Sequence, residues 1–345
     1  MAFNCPQLTL SATSGALSRS SERLTIATVG AAMASFQKLS VGLVVWLAAA
    51  LLIAPLGFLL GAAAATTGLI AAGHAWGSPI AIFVGQLSGP NRVEVGLGPL
   101  MYDLPSLGFA LGVAAAGLLA ARRVCGTPWL SWFRATAPPR WTLLLIGLVL
   151  GLVAFGAANL LEGLLSADGF NPETGWRRRG AVLALIGAVG WVVTNLMWAA
   201  AEEVVFRGLL QRGFQTILRL RWLAVLLASL LFCAIHRDGS LVGLASYMMI
   251  GLALAWAAIR TGGLELGIGL HAAYNTVADL MGDQSTSGPA GSAGEMASNI
   301  QVLSAAVGTA AIIILLTEVL ARRPRSTATA APAPSGPAAP RADCP

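Results

Sequence analysis

Long apolar stretches alternate with short polar segments along most of the chain, and their length is that of a membrane-spanning helix. A helix needs about 20 mainly apolar residues to cross the hydrocarbon core of a bilayer. We predict eight such helices, so the expected fold is all-α, a polytopic membrane protein of about eight transmembrane helices. The predicted spans are residues 39–62, 104–121, 141–162, 181–213, 222–238, 240–259, 262–282 and 300–320.

Three further segments depart from this pattern. Residues 66–87 are apolar but are interrupted by His74 and Pro79, which favours an interfacial or re-entrant segment over a ninth span. Residues 1–37 are rich in Ser, Thr and Ala, and residues 322–345 repeat Ala and Pro. Such segments bury too little apolar surface to fold, so we expect a disordered amino-terminal leader and a disordered Ala/Pro-rich tail.

The composition agrees with a lipid environment. Hydrophobic residues make up 56% of the chain and charged residues 10%, which leaves too little polar surface to cover a water-soluble globule. The formal net charge is +6, but the basic residues fall in short clusters between apolar stretches. That pattern is typical of the cytoplasmic loops of membrane proteins, and we expect no nucleic-acid partner.

The basic clusters also predict the side of the membrane on which each loop lies. Lys and Arg concentrate in cytoplasmic loops, and eight spans place most of the arginines on one side. The run Arg177–Arg179 is the exception, because it falls on the opposite side. We therefore expect a protein integral to the plasma membrane, surrounded by the lipid bilayer, with both termini in the cytoplasm.

The fourth predicted span contains three ionisable residues, Glu202, Glu203 and Arg207, in an otherwise apolar sequence. A charge at the centre of a span costs at least about 2.5 kcal/mol, so these residues are candidates for a functional site. Glu203 and Arg207 are four residues apart on one helical face and can form an ion pair. Glu202 points about 100° away and lacks that partner. An ion-paired helix end near the cytoplasmic surface is the alternative interpretation.

Two of the three histidines of the chain lie in the fifth and seventh predicted spans at a similar depth. His236 is near the end of the fifth span, and His271 shares a helical face with Asn275 on the seventh. At 1.5 Å per residue from the nearest cytoplasmic arginine, Glu202, His236 and His271 lie about 15 to 22 Å along their helices. A lone membrane histidine commonly serves helix packing. Here polar groups from three helices are expected to converge near the middle of the bilayer.

These residues form an ordered set of three motifs on three spans: Glu202-Glu203-x-x-x-Arg207, Phe232-x-x-x-His236 and His271-x-x-x-Asn275. The set resembles the CPBP (ABI) family of intramembrane metalloproteases, which includes the CAAX prenyl endopeptidases. The resemblance covers about residues 141–282. It implies an intramembrane endopeptidase, similar to CAAX prenyl proteases, that hydrolyses a peptide bond of a membrane-associated protein or peptide with a glutamate-activated water.

The resemblance also implies a role for each site residue. Glu202 is the base that activates water, and Glu203 and Arg207 support it. The remaining three residues bind and polarise the scissile carbonyl or the water, and they are His236, His271 and Asn275. Amide hydrolysis needs both an activated water and a group that stabilises the developing oxyanion, so this division of roles is chemically consistent.

With the resemblance, the chain divides into five expected segments. They are a leader (1–37), amino-terminal membrane helices (38–140), a CPBP-like catalytic membrane core (141–282), a last transmembrane helix (283–321) and a tail (322–345). The first 140 residues and the tail resemble no family that we recognise, so their contribution to function stays open.

Two chemical routes remain open at this stage. Glu202, His236 and His271 are a suitable ligand set for a catalytic divalent metal such as zinc, with a fourth position left for water. The helical HExxH arrangement of many zinc proteases is absent. In the metal-free alternative, Glu202 deprotonates water directly, and the histidines and Asn275 form an oxyanion hole.

Two other classes of protein have the same general features. A non-catalytic membrane scaffold, or a protein of the bacteriocin-immunity type, would use the same cavity to bind a peptide without cleaving it. Such a protein has no chemical need for Glu202 together with two histidines. A proton-coupled transporter would favour broken helices repeated in both halves of the chain, and no such repeat is evident.

Overall fold

The computed structural model describes residues 41–67, 98–126, 133, 139–165, 180–218, 220–236, 240–281 and 293–321. Every regular element longer than one residue in these ranges is a helix, so the predicted all-α class is confirmed. The expectations for the leader, the tail, the His74 segment beyond residue 67 and the Arg177–Arg179 run lie outside the described residues.

The helices occupy all eight positions at which the sequence predicts a span. The elements are α1 (Val41–Thr67), α2 (Gly98–Cys125), α3 (Trp141–Leu165), α4 (Gly180–Glu203), a π-helical segment (Val204–Gln211), α5 (Arg212–Leu218), α6 (Arg221–Ile235), α7 (Leu241–Thr261), α8 (Glu265–Met281) and α9 (Ala293–Ala321). The π-helical segment joins α4 directly to α5, so the fourth predicted span is one continuous helical rod with a widened middle.

Five of the described helices, α1, α2, α3, α7 and α9, are long and apolar enough to cross a membrane. The chain is therefore a polytopic membrane protein, as predicted. Two other predicted spans are shorter, since α6 has 15 residues and α8 has 17. The fourth span differs from the ordinary membrane helix because it holds buried charges and changes its helical geometry midway.

The π-helical segment begins directly after Glu203 and is buried on nearly all sides. Its buried residues include Phe206, Arg207 and Gln211. Hydrogen bonds in a π-helix close from residue i to i+5, so each turn is wider than an α-helical turn, and such segments are frequent at functional sites. The change of geometry therefore falls at the three charged residues that the sequence analysis selected.

Helix α8 lies at the centre of the bundle and packs chiefly against α3 and α4. Glycines permit the close approach of α3. A Cβ placed on Gly151 would lie 2.6 Å from the Cβ of Ala273, and a Cβ on Gly269 would overlap the carbonyl oxygen of Leu144. Small residues at helix crossings allow this kind of backbone contact in membranes. The contact sets the position of α8, and hence of the polar side chains that it carries.

Gly269→Ala is expected to destabilise the protein by about 1–3 kcal/mol, because the added methyl group overlaps backbone atoms that cannot move aside. Gly156→Ala on α3 is the matched control, since a Cβ there meets nothing within 4 Å. Thermal unfolding of the detergent-solubilised variants measures both effects. Equal melting temperatures for the two variants would show that the α3–α8 contact is looser than described.

Candidate active site

Polar side chains from the continuous α4–π-helical rod and from α8 meet in the middle of the bundle. The last turn of α4 and the π-helical segment supply Glu202, Glu203 and Arg207, and α8 supplies His271. Glu203 and Arg207 are 0% and 1% exposed, and Glu202 and His271 are 9% and 4% exposed. Ionisable groups so deeply buried are stable only with partners, so each partner has to be identified.

Glu203 and Arg207 form the predicted ion pair. Arg207 Nη1 lies 3.0 Å from Glu203 Oε1, and Arg207 Nη2 donates a hydrogen bond to the carbonyl oxygen of Gly251 at 3.0 Å. The guanidinium also lies over the ring of Phe232, 4.4 Å from its centroid. These three contacts from three directions compensate for the burial of the positive charge.

His271 lies between the two carboxylates. Its Nδ1 is 3.1 Å from Glu203 Oε1, and its Nε2 is 3.5 Å from Glu202 Oε2. Because a carboxylate oxygen accepts hydrogen bonds, Nδ1 carries a proton and donates to Glu203. The remaining ring nitrogen, Nε2, therefore faces Glu202. The position between Nε2 and Glu202 can therefore hold a proton, a water molecule or a ligand atom.

The charges of this group nearly balance. Two carboxylates and one guanidinium leave one negative charge in a buried site, and one proton on either Glu202 or His271 neutralises it. A buried uncompensated charge is unfavourable by several kcal/mol. Glu202 Oε2 and His271 Nε2 face each other at 3.5 Å, which is an arrangement suited to proton transfer.

The expectation that Glu202 lacks a partner is wrong. Trp198, one helical turn earlier on α4, donates its indole N–H to Glu202 Oε1 at 2.6 Å. The other carboxylate oxygen, Oε2, is buried without a hydrogen-bond partner. Sequence reasoning missed Trp198, although its four-residue spacing from Glu202 is the signal that could have identified it.

His236 lies beside this group but does not contact the carboxylates directly in the described structure. It ends α6, where its Nδ1 donates to the carbonyl oxygen of Phe232 at 2.7 Å. The ring stacks on Tyr247 with a centroid distance of 3.9 Å. Phe232 connects the two histidines, with centroid distances of 4.7 Å to His236 and 5.9 Å to His271. Nε2 of His236 thus remains for a ligand.

Asn275 lies one turn after His271 on α8 and is half-buried. The structure forms no hydrogen bond between Asn275 and the described residues Glu202, Glu203 or His271. The sequence analysis therefore predicted a set of six residues of which four are connected by successive contacts, in the order Glu202, His271, Glu203 and Arg207. His236 and Asn275 flank that contact group.

Comparison with known protein families identifies the same part of the chain. Residues 184–277 match the family described as Type II CAAX prenyl endopeptidase Rce1-like. Residues 184–277 are Rce1-like. All six predicted site residues lie within this Rce1-like segment, so the resemblance to CAAX prenyl endopeptidases is confirmed there. The matched segment is shorter than the predicted core of residues 141–282. It starts within α4, so α3 lies before it.

Curated proteins include a relative that matches part of this chain. An "Uncharacterized 24.3 kDa protein" from Escherichia coli is 39% identical over 83 residues, which is 24% of this chain and 38% of that protein. The aligned region thus spans well under half of the relative's length. No solved structure matches this chain significantly.

The residues of the Rce1-like segment do not assemble the zinc set that the sequence analysis considered. Within the described residues, no three His, Cys, Asp or Glu side chains cluster closely enough to hold a metal ion. Glu202 approaches His271, but the third candidate ligand, His236, is directed at its own helix and at Tyr247. Participation of a metal stays a prediction, and no step below depends on it.

A third buried carboxylate, Glu265, was missed by the sequence analysis although it lies in the seventh predicted span. Glu265 is 0% exposed, and its Oε1 accepts a hydrogen bond from the backbone N–H of Arg140 at 2.7 Å. Arg140 in turn donates from Nη2 to the carbonyl oxygen of Thr261 at 2.9 Å. These bonds connect the start of α3 and the first turn of α8 with the end of α7. They help to fix the relative positions of these three helices.

Proposed function

We propose that this protein is an intramembrane endopeptidase that hydrolyses a peptide bond of a membrane-associated protein or peptide. One observation supports this function above all: a buried carboxylate oxygen, Glu202 Oε2, has no hydrogen-bond partner and faces His271 Nε2 at 3.5 Å within a bundle of apolar helices. A buried carboxylate base beside a buried imidazole forms the minimal machinery for activating one water molecule. The Rce1-like match of the segment is consistent with this activity.

In the proposed mechanism, Glu202 Oε2 accepts a proton from a water molecule while the oxygen of that water attacks the scissile carbonyl carbon. The carbonyl oxygen becomes an oxyanion, which Asn275 and the protonated ring of His271 stabilise by donating hydrogen bonds. Glu202 then passes its proton to the leaving amine as the C–N bond breaks. His236 orients the water or the substrate carbonyl through its remaining ring nitrogen, Nε2.

Glu203 and Arg207 act indirectly in this proposal. Glu203 accepts the Nδ1 proton of His271 and so directs Nε2 toward Glu202. Arg207 neutralises Glu203 and anchors it to the backbone of α7 through Gly251. Such partners keep an imidazole in one tautomer and one orientation, which electrostatic stabilisation of a transition state requires.

The proposed orientation places both termini in the cytoplasm of a plasma-membrane protein. The contacts of Arg140 with Thr261 and Glu265 show that α3 begins where α7 ends and α8 begins. Arg260 lies at this same end of the bundle, paired with Glu318 near the end of α9. Basic residues gathered at one end of the helices support a cytoplasmic location for that end.

Purified protein in proteoliposomes, incubated with detergent-free membrane proteins, is expected to generate new peptide termini detectable by mass spectrometry. Glu202→Ala should generate none. Glu318→Gln should cleave as the wild type does, since this carboxylate lies on α9 and pairs with Arg260 rather than with the site. Substrate capture without any product from the wild-type protein would instead identify a peptide-binding scaffold.

A chelator arm in the same experiment tests the metal alternative. Cleavage that survives exhaustive chelation supports direct activation of water by Glu202. Loss of cleavage that zinc restores would assign a metal to the reaction and would require His236 to move toward Glu202 and His271.

A further inference from the structure

The hydrogen bond between Trp198 and Glu202 divides the two oxygens of the carboxylate between two tasks. The indole Nε1–H donates to Oε1 at 2.6 Å. Oε2 has no hydrogen-bond partner, although it is buried and lies 3.5 Å from His271 Nε2. A free carboxylate has two equivalent oxygens and rotates about its last torsion, which is broad. In Glu202 the two oxygens are not equivalent, because Oε1 alone accepts the hydrogen bond from Trp198.

We propose that Trp198 is a positioning residue for peptide-bond hydrolysis: it fixes the carboxylate of Glu202 so that Oε2 is the oxygen that takes the proton from water. This inference rests on the proposed function. It adds a residue that lies outside the three motifs and assigns the chemistry to one atom of Glu202.

An indole is chemically suited to this task. It donates one hydrogen bond through Nε1 and has no acceptor, so it cannot compete with Glu202 for the proton of the water. Its side chain has only two torsions and is partly buried, so the donor has few orientations to lose when the substrate arrives. Trp198 and Glu202 are also on one helix, one turn apart, and the contact therefore moves with the base rather than depending on the packing between helices.

The bond to a charged acceptor is also strong enough to matter. Charge-assisted hydrogen bonds are shorter and roughly twice as strong as neutral ones, and the 2.6 Å separation is shorter than that of an ordinary N–H···O bond. Loss of this bond leaves the carboxylate free to occupy orientations in which neither oxygen faces His271. Misplacement of a reacting group by about 1 Å is enough to lower a rate by roughly 100-fold.

Trp198→Phe tests the proposal by removing the N–H donor while keeping an aromatic ring. We expect kcat to fall roughly 10- to 100-fold with KM unchanged, because the bond orients the base and makes no contact with the substrate. Trp191→Phe is the matched control, since Trp191 lies on α4 two turns earlier and is 7% exposed. The Trp191→Phe variant should cleave the substrate at the wild-type rate. An unchanged kcat in Trp198→Phe would overturn the proposal.

A second variant separates the hydrogen bond from the volume of the ring. 3-Benzothienylalanine, introduced at position 198 by stop-codon suppression, has nearly the shape of tryptophan and lacks the N–H. The proposal predicts the same loss of kcat as in Trp198→Phe. Wild-type kcat with this analogue would show that Trp198 serves packing alone, and the positioning role would be wrong even if Trp198→Phe fails to fold.

The indole N–H also has a spectroscopic signature. In ¹H–¹⁵N spectra of the protein in detergent, the Trp198 resonance, assigned through its absence in Trp198→Phe, should lie downfield of the indoles that have no carboxylate acceptor. Trp256 is not among these, since its indole N–H donates to Glu318. Glu202→Gln should move the Trp198 resonance upfield, and an unmoved signal would contradict the bond. Failure of the proposed function gives a different result, in which the wild-type protein itself yields no product while the Trp198 resonance still responds to Glu202→Gln.

Discussion

Glu202→Gln is expected to reduce kcat by at least about 10²- to 10⁴-fold, which is the range that a positioned general base contributes. The amide of glutamine has nearly the shape of the carboxylate but cannot take a proton from water. Its oxygen can still accept the hydrogen bond from Trp198, so the local structure should persist. Initial rates of cleavage in proteoliposomes, compared with the wild type at saturating substrate, measure the effect.

The melting temperature of the same variant shows whether the loss is chemical. Because the substitution removes a buried negative charge without opening a cavity, Glu202→Gln should unfold no earlier than the wild type. An inactive protein that is fully folded supports the role of Glu202 as the base. Cleavage at more than a tenth of the wild-type rate would remove Glu202 from the mechanism, although the description of the fold would stand.

Arg207→Met is expected to destabilise the protein by about 3–5 kcal/mol, the cost of leaving a buried carboxylate without its cation. Glu203 is 0% exposed, and Arg207 is its partner at 3.0 Å. The substitution also removes the bond to Gly251 and the contact with Phe232, which connect the π-helical segment to α7 and α6. Thermal unfolding in detergent and the cleavage rate should both fall.

A double substitution separates the structural part of this effect from the catalytic part. Arg207→Met combined with Glu203→Leu removes both charges, and apolar replacements of buried ion pairs are commonly neutral or stabilising. The double variant should therefore unfold at a higher temperature than Arg207→Met alone. It should still be inactive, because His271 Nδ1 then lacks the acceptor that directs Nε2 toward Glu202. A double variant as unstable as the single one would contradict the ion-pair account.

The amino-acid sequence was sufficient to predict the helices and four polar residues that the structure connects in one group. Charges and histidines are costly inside apolar stretches, so Glu202, Glu203, Arg207 and His271 stand out without any knowledge of the fold. Helical spacing also predicted the ion pair of Glu203 and Arg207, since residues four apart share a face. These features depend on one helix at a time, and local rules determine them.

The contacts between helices were not predictable in the same way. Depth along each helix placed Glu202 and His271 at one level, but it did not fix how far each helix is rotated about its own axis. The position of His271 between two carboxylates depends on that rotation. The separation of His236 from these carboxylates depends on it too, because the ring of His236 stacks on Tyr247. The π-helical segment after Glu203 also has no sequence signal among the rules of helical periodicity.

Cleavage in ¹⁸O-labelled water under single-turnover conditions tests the central claim most directly. With the protein in excess over a peptide substrate in proteoliposomes, direct attack by water activated at Glu202 predicts one ¹⁸O atom in each new carboxyl terminus, read by mass spectrometry. Attack by the Glu202 carboxylate itself would first form a mixed anhydride, and hydrolysis at the glutamyl carbonyl would deliver unlabelled oxygen to the product. Unlabelled termini in the first turnover would contradict the account, and labelled termini from the wild type alone would support it.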